Sequence, residues 1–263
     1  MPPGHAYNKG IMVAIIIIGD EILAGDVHDE NLPYIINSLN AVGYHSGEAR
    51  IIRDDVNVIA ETYRELAARY DFVISSGGVG PTHDDVTLEG AAKGLGVPLK
   101  RHPVMHDFLQ GHYGEPLPES VARMAELPEG AEVFIDYSHH WPLIKMQNCF
   151  ILPGLPVALR DKMGRITEML PRADRLWSAR LYLNADETQL ASWLSELQRH
   201  HPETAIGSYP LFRASYSTRI TVKSVDSREC RETFEEARRY FDRQGWLIRT
   251  EGPTEAGADE AGT

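Results

Sequence analysis

The 263-residue sequence has only two cysteines, Cys149 and Cys230, far apart and outside any CxxC or Cys/His cluster. That excludes a disulfide framework and a structural zinc site, and it leaves two reduced, packed thiols. Long apolar runs are also missing. The longest, "IMVAIIIIG", is about half of the roughly 20 residues a membrane span needs, and "MPPGHAYNKG" before it lacks the charged-then-apolar order of a secretion signal. The expected location is the cytoplasm. Basic residues are in deficit: 26 Lys and Arg stand against 38 Asp and Glu, a formal net charge of −12. Such a surface repels nucleic-acid phosphates and anionic lipid, so neither nucleic acid nor membrane is the expected partner.

What is present suits a globular chain with one large domain and a smaller second one: 43% of residues are hydrophobic and 24% charged. Val13 to Ile18 form a continuous β-branched run, the mark of a strand buried on both faces near the centre of a parallel sheet. A helix follows, with Asn31 as N-cap, Pro33 in the first turn and Leu32, Ile35, Ile36, Leu39 and Val42 at helical spacing until Gly43. The order repeats with strand "YHSGEARII", a helix marked by Ile59, Tyr63, Leu66 and Tyr70, and strand "DFVISS". Strands alternating with helices imply right-handed crossovers and helices on both sheet faces. A third helix is expected from about Val86 to Leu95, then an irregular stretch from Arg101 to Glu126 with one short helix between prolines. Strands "AEVFID" and "NCFIL" come next, and "PGLPVALRDKM" reads as a tight turn feeding a helix. "LPRADRLW" is the expected linker. Beyond it, "SARLYLN" and "YSTRITVKSV" alternate, while Leu190, Trp193, Leu194 and Leu197, and then Cys230, Phe234, Ala237 and Phe241, mark two helices. The reading is an α/β domain over residues 11–170, a small α+β domain over 177–250, and a disordered acidic tail over 251–263.

In an open parallel sheet, ligands collect at the carboxyl ends of the strands. Three such ends are polar here: "GDEILAGDVHDEN" with Asp20, Glu21 and Asn31; "RDD" with Asp54 and Asp55; and "SSGGVGPTHDDVT". In the last, Gly77, Gly78 and Gly80 free backbone N–H groups to point at one oxyanion, Pro81 shapes the turn, and Thr82 and Thr87 add hydroxyls. The helix beginning near Val86 aims its positive end at the same place. Carboxylates beside a phosphate repel it unless a cation lies between them. The expected ligand is therefore phosphorylated and bound with a divalent metal, Mg²⁺ first, with Mn²⁺ or Co²⁺ as substitutes. No lysine precedes Thr82, so the loop is not a P-loop, and "GVGPTH" lacks the last glycine of a dinucleotide fingerprint. Against this stands the plainer reading of ordinary turns and helix caps. His28 and His83 are read as solvated loop residues, and His139-His140 and His200-His201 as surface pairs.

The motifs "GDEILAGDVHDEN", "GGVGPTHDDVT" and "ILPGLP" occur in that order and spacing in the molybdopterin-binding, MoaB/MogA-like domain family. Over residues 12 to 170 the sequence resembles the CinA-type branch and the N-terminal domain of eukaryotic FAD synthases, and the remainder resembles the KH-like domain that follows in CinA-type proteins. The resemblance implies a three-layer α/β/α fold with a mostly parallel sheet, and a homo-oligomer, dimer or trimer. It also implies metal-dependent cleavage of an ADP-ribose-like or FAD-like dinucleotide. In MogA-like relatives the same cleft adenylylates molybdopterin, and their essential aspartates match Asp54 and Asp85. By that carry-over Asp54 and Asp85 are catalytic, and Asp84, Asp85, Asp20 and Glu21 hold metal. Gly77, Gly78, Gly80, Pro81, Thr82, Thr87 and Asn31 bind the substrate and its phosphates. The alternatives are a molybdopterin- or nucleotide-binding protein of the molybdenum cofactor pathway and a non-catalytic nucleotide sensor. Two departures stand out: "SHHWPLIKM" replaces a "GTAPG" block, and Val157 and Ala158 stand where an acidic residue is usual. A nucleic-acid role for the second domain is disfavoured by the missing GxxG and the net charge.

Overall fold

The computed structural model describes residues 11–135, 141–171, 176–211 and 215–255. The chain divides into two compact units, one of Ile11–Leu39 and Tyr44–Pro171 and the other built chiefly from the residues that follow. Among the described residues no helix is long and apolar enough to cross a membrane.

The first unit opens with β1 (Met12–Ile18), α1 (Asp20–Ala24), α2 (Asn31–Ala41), β2 (His45–Ile52), α3 (Val56–Arg69), β3 (Phe72–Ser76) and α4 (Thr87–Leu95). It continues with β4 (Leu99–Arg101), α5 (Pro103–Tyr113), α6 (Glu119–Arg123), β5 (Glu126–Pro128), β6 (Glu132–Phe134), β7 (Leu143–Met146), β8 (Cys149–Leu152) and α7 (Pro156–Met169). Six strands form one sheet in the order β2-β1-β3-β8-β7-β6, and β4 pairs with β5 apart from it. The pairs β2-β1, β1-β3 and β3-β8 are parallel, while β7 and β6 are antiparallel additions. This is the mostly parallel α/β sheet anticipated from the sequence.

The β-branched run of β1 lies between two strands and is buried along Val13–Ile18. Ala14, Ile16 and Ile18 pack into one cluster with Ile59, Tyr63 and Leu66 of α3, Leu88 and Ala91 of α4, and Met105 and Leu109 of α5. Val13, Ile15 and Ile17 on the opposite face are just as buried, and α2 and α7 bury Ile35, Leu39, Leu159, Met163 and Ile166 outside that cluster. Helices therefore cover both faces, as a parallel sheet requires. Asp55 caps α3 by accepting from the N–H groups of Asn57 and Val58, which leaves its neighbour Asp54 to the site.

Four expectations need correction. Asn31 is not the cap of α2; the Asp29 carboxylate accepts from the Asn31 and Leu32 N–H groups instead. The stretch from Arg101 to Glu126, expected to hold one short helix, contains α5 as well, started by Pro103. Strand β7 occupies the end of "SHHWPLIKM", where none was expected. The acidic tail was expected from residue 251, yet β12 runs through Glu255. Residues 256–263, the pair His139-His140 and residues 172–175 of the expected linker lie outside the described residues.

The second unit is β9 (Trp177–Leu183), α8 (Glu187–His200), β10 (Ala205–Pro210), β11 (Thr218–Ser224), α9 (Ser227–Arg243) and β12 (Leu247–Glu255). That is the strand, helix, strand, strand, helix, strand order read from the sequence. Its antiparallel sheet runs β10-β11-β9-β12. Leu181, Leu183, Ile220 and Val222 meet Leu190, Leu197, Cys230, Phe234, Ala237 and Phe241 in one core. Asp186 starts α8 with a capping box to Gln189, and Asp226 caps α9.

Helices α3 and α4 approach closely because α4 presents Gly90 and Gly94 to α3. A methyl on Gly94 would lie 2.5 Å from the Ala60 carbonyl oxygen, and one on Gly90 would lie 2.5 Å from Ile59 Cγ2. Alanine normally improves a helix by about 1 kcal/mol over glycine. Here the backbone clash wins: Gly94→Ala is expected to destabilise the protein by about 1–3 kcal/mol in urea unfolding, the range for overpacking.

Candidate functional site

The register of the parallel strands sets the site. Ile18 pairs with Ile52, Ile17 with Ser76, and Ser76 with Leu152, so β1, β2, β3 and β8 all end at one edge. From β1 the chain goes to β2 on one side and returns to β3 on the other. The loops after these strands leave the sheet at that reversal of strand order, where α/β sheets bind ligands.

The glycine loop after β3 is shaped by positive φ at Gly77 (114°) and Gly78 (64°). Gly77 donates its N–H to the Leu152 carbonyl at 3.1 Å, and a Cβ there would fall 2.0 Å from the Ile18 carbonyl oxygen. No side chain fits. Thr87 holds the loop from beneath: its hydroxyl donates to the Gly77 carbonyl at 2.8 Å and its N–H to the Gly78 carbonyl at 3.0 Å. Asn31 holds it from the side. Its amide donates to Ser76 Oγ at 3.0 Å and to the Gly154 carbonyl at 2.7 Å, while Ser76 Oγ donates to the Pro153 carbonyl at 3.1 Å. Both Thr87 and Asn31 were expected to bind substrate. Both are buried, neither lines the cleft, and these donated hydrogen bonds position the loop, while Asn31 Oδ1 has no partner among the described residues.

Above the loop opens a cleft of about 600 Å³, lined on one side by Gly19, Glu21, Asp54, Gly77, Gly78, Gly80, Asp84 and Asp85. Glu21, Asp54, Asp84 and Asp85 are its charged residues, and no Lys, Arg or His lines it among the described residues. Asp54 Oδ2 accepts a hydrogen bond from the Asp20 N–H at 2.8 Å. Burial, together with the negative charges of Glu21, Asp20 and Asp84, outweighs that bond and raises the Asp54 pKa above the usual carboxylate range. Asp85 Oδ2 accepts from the Thr82 N–H at 2.9 Å and also from the Thr82 hydroxyl. Thr82 thus positions Asp85, and Gly80 leaves room for it, since a Cβ there would lie 2.6 Å from Asp85 Oδ2.

Of the expected metal ligands, Glu21, Asp84 and Asp85 line the cleft. Asp20 does not: its carboxylate lies 3.8 Å from Arg53 Nε and its backbone serves Asp54. Pro81 and Thr82 also stand outside the lining. Among the described residues no three Asp, Glu, His or Cys side chains are gathered as a metal cage. Mg²⁺ does not need one, because it keeps several waters and takes one or two carboxylates plus substrate phosphates. A cleft with several carboxylates and no basic side chain fits that mode of binding.

Met124, Trp141, Pro153, Gly154, Leu155, Val157 and Ala158 complete the lining. All but Met124 fall in "ILPGLP", at Val157 and Ala158 or in "SHHWPLIKM", stretches the sequence had already marked. Pro156 starts α7 with no side-chain cap at Leu155, so the uncapped N-terminus of this 14-residue helix lies at the cleft wall. Its free N–H groups suit an anion.

The family described as "Probable molybdopterin binding domain" matches residues 14–172, and the chain belongs to it. "FAD synthase, middle domain" matches residues 175–248. A protein of Archaeoglobus fulgidus is 31% identical over 74% of this chain and 84% of its own length. A "Probable FAD synthase" of Caenorhabditis elegans is 28% identical over 89% of this chain, which spans 52% of that relative. Among solved structures, the protein CinA of Thermoplasma acidophilum, titled as of unknown function, superposes with a TM-score of 0.57 at 28% identity, covering 60% of this chain and 96% of that one.

The raised pKa of Asp54 has a stability consequence. In the unfolded chain the carboxyl titrates near 3.9. Folding holds the proton more tightly, so the contribution of Asp54 to stability is greatest below that pH and is lost as pH rises through the folded value. Asp54→Asn is therefore expected to melt at a higher temperature than the wild type at pH 7 without ligand, with the difference shrinking toward pH 4. Calorimetry across that range checks it; a variant less stable at pH 7 would contradict the charge argument.

Proposed function

We propose that this protein is a metal-dependent nucleotide pyrophosphatase acting on an ADP-ribose-like or FAD-like dinucleotide. The observation that carries the reading is the cleft in which Asp54, Asp85, Asp84 and Glu21 face a glycine loop and an uncapped helix end, with no basic side chain among the described residues that line it. Matches to a FAD synthase middle domain and to a FAD synthase relative support a nucleotide ligand.

The glycine-loop N–H groups and the start of α7 hold phosphate oxygens. Asp54, with its raised pKa, accepts the proton of a water that adds to phosphorus. The bond from that phosphorus to the bridging oxygen breaks, and two monophosphates leave. Thr82 keeps Asp85 turned to the site. Asp85, Asp84 and Glu21 are the side chains that would hold Mg²⁺, which would supply neutralisation of phosphate charge. A homodimer or homotrimer belongs to the same reading.

The family's own description favours a second reading, a molybdopterin or nucleotide binder without turnover. Purified protein incubated with ADP-ribose, FAD or NAD and Mg²⁺, Mn²⁺ or Co²⁺ separates the two. AMP release is the expected outcome, and tight binding without release would select the binder. Asp54→Asn is expected to lower kcat about 10²- to 10⁴-fold, the range for losing a positioned acid–base group, and Asp85→Asn, losing a metal-holding carboxylate, to lower turnover and raise the Mg²⁺ concentration it requires. Unchanged turnover in either would remove that residue from the mechanism.

A further inference from the structure

The helices of the second unit lie on one face of its sheet. Ala179, Leu181, Leu183, Ile220 and Val222 enter the core with α8 and α9, and the residues alternating with them form the opposite face. One row across that face, from β10 to β12, reads Tyr209, Arg219, Tyr182 and Arg249, and the next reads Gly207, Thr221, Arg180 and Glu251. Lys223 pairs with Ser178 in a further row. Arg180, Arg219, Lys223 and Arg249 thus share the face with the Glu251 carboxylate. Residues 176–255 hold 11 Lys and Arg against 12 Asp and Glu, so the net charge of −12 that disfavours nucleic acid belongs almost wholly to the rest of the chain.

Two of the arginines are laid on tyrosines. The Arg249 guanidinium carbon lies 3.8 Å from the centre of the Tyr182 ring, and that of Arg219 lies 5.1 Å from the centre of Tyr209. Glu251 fixes the first pair: it accepts from Arg249 at 2.6 Å, from the Tyr182 hydroxyl at 2.8 Å and from Arg180 at 3.3 Å. Tyr209 lies against Gly207, where a Cβ would come within 2.8 Å of its ring, and 45% of the tyrosine stays exposed. The Arg249 side chain is 53% exposed. A guanidinium held on a ring keeps its outer face open to a second planar group. Solubility alone needs no such order, since interspersed charges of both signs supply it.

We infer that this sheet face binds single-stranded RNA, with bases resting on Tyr209 and on the outer faces of Arg219 and Arg249, and phosphates meeting the cations between them. Open four-stranded sheets hold single strands in this way, because unpaired bases expose flat faces that a duplex hides. The GxxG loop that this unit lacks clamps the nucleic-acid backbone, a different mode from stacking on a sheet. Ser178 and Glu251 stand beside the arginines as partners for a ribose 2′-hydroxyl, which commits the strand to RNA rather than DNA. Nothing in this inference depends on the reading of the first unit's cleft.

Fluorescence anisotropy with the full chain and a labelled single-stranded RNA of about ten nucleotides tests it. Saturable binding that weakens as salt rises is expected. The same sequence as a duplex, or as DNA, should bind at least severalfold more weakly. Tyr209→Ser, at an exposed edge-strand position, and Arg249→Lys, which keeps the charge but loses the planar cation, should each weaken RNA binding severalfold or more, as the loss of one base stack does. Arg239→Gln with Arg243→Gln removes two charges from the exposed side of α9, away from this face, and should leave the affinity nearly unchanged. Melting curves confirm that each variant is folded. No saturable binding at low salt, duplex RNA bound as tightly as the single strand, equal weakening by the α9 pair, or no effect of Tyr209→Ser and Arg249→Lys would overturn the RNA face. Equal affinity for the DNA strand would overturn its assignment to RNA.

Discussion

Repulsion among carboxylates is the constraint on which the site depends. Among the described residues, Asp54, Glu21, Asp84 and Asp85 face one cleft without a basic side chain, and the donor to Asp54 there is the Asp20 backbone N–H. Burial first and the neighbouring negative charges second oppose ionisation there, and the Asp54 pKa is raised accordingly. The arrangement persists because it is fixed elsewhere. The strand ends are held in register by a sheet buried on both faces, and the loops follow from where those strands stop.

Two polar residues expected to meet the ligand hold the loop. Thr87 and the Asn31 amide donate to the Gly77 and Gly154 carbonyls, and Ser76 accepts from Asn31 and donates to the Pro153 carbonyl. Their residue types announced hydrogen-bonding capacity in the sequence, but type does not give direction. A threonine at the first position of a helix reads the same whether its hydroxyl points at solvent, ligand or the preceding turn. The aspartates differ, because a carboxylate cannot be buried against carbonyl oxygens without cost. They therefore face the open side, and the acidic strand ends were the more dependable signal.

The same physics explains which parts of the fold were legible. Val13–Ile18 could only be an interior strand, since no alternative buries six consecutive apolar residues so fully. The helical faces of α8 and α9 were equally plain, because Leu190, Leu197, Phe234 and Phe241 repeat at helical spacing. Helix α5 was hidden because its inward stripe is short: only Met105 and Leu109 are fully buried, too few to set a period. The end of β12 was hidden for another reason. Residues 251–255 look like tail, yet backbone pairing with β9 supplies the hydrogen bonds whatever the side chains are, and a polar edge strand resists further pairing. Met124 joins the cleft from a connection remote from "SHHWPLIKM" and "ILPGLP", so no local pattern could announce it.

On the proposed reading, the charge imbalance makes metal and nucleotide binding interdependent. A diphosphate entering alone meets four carboxylates, and a cation entering alone finds no ready cage among the described residues. Each removes the obstacle to the other, so each must raise the other's affinity by the same factor, as linkage demands of equilibrium binding.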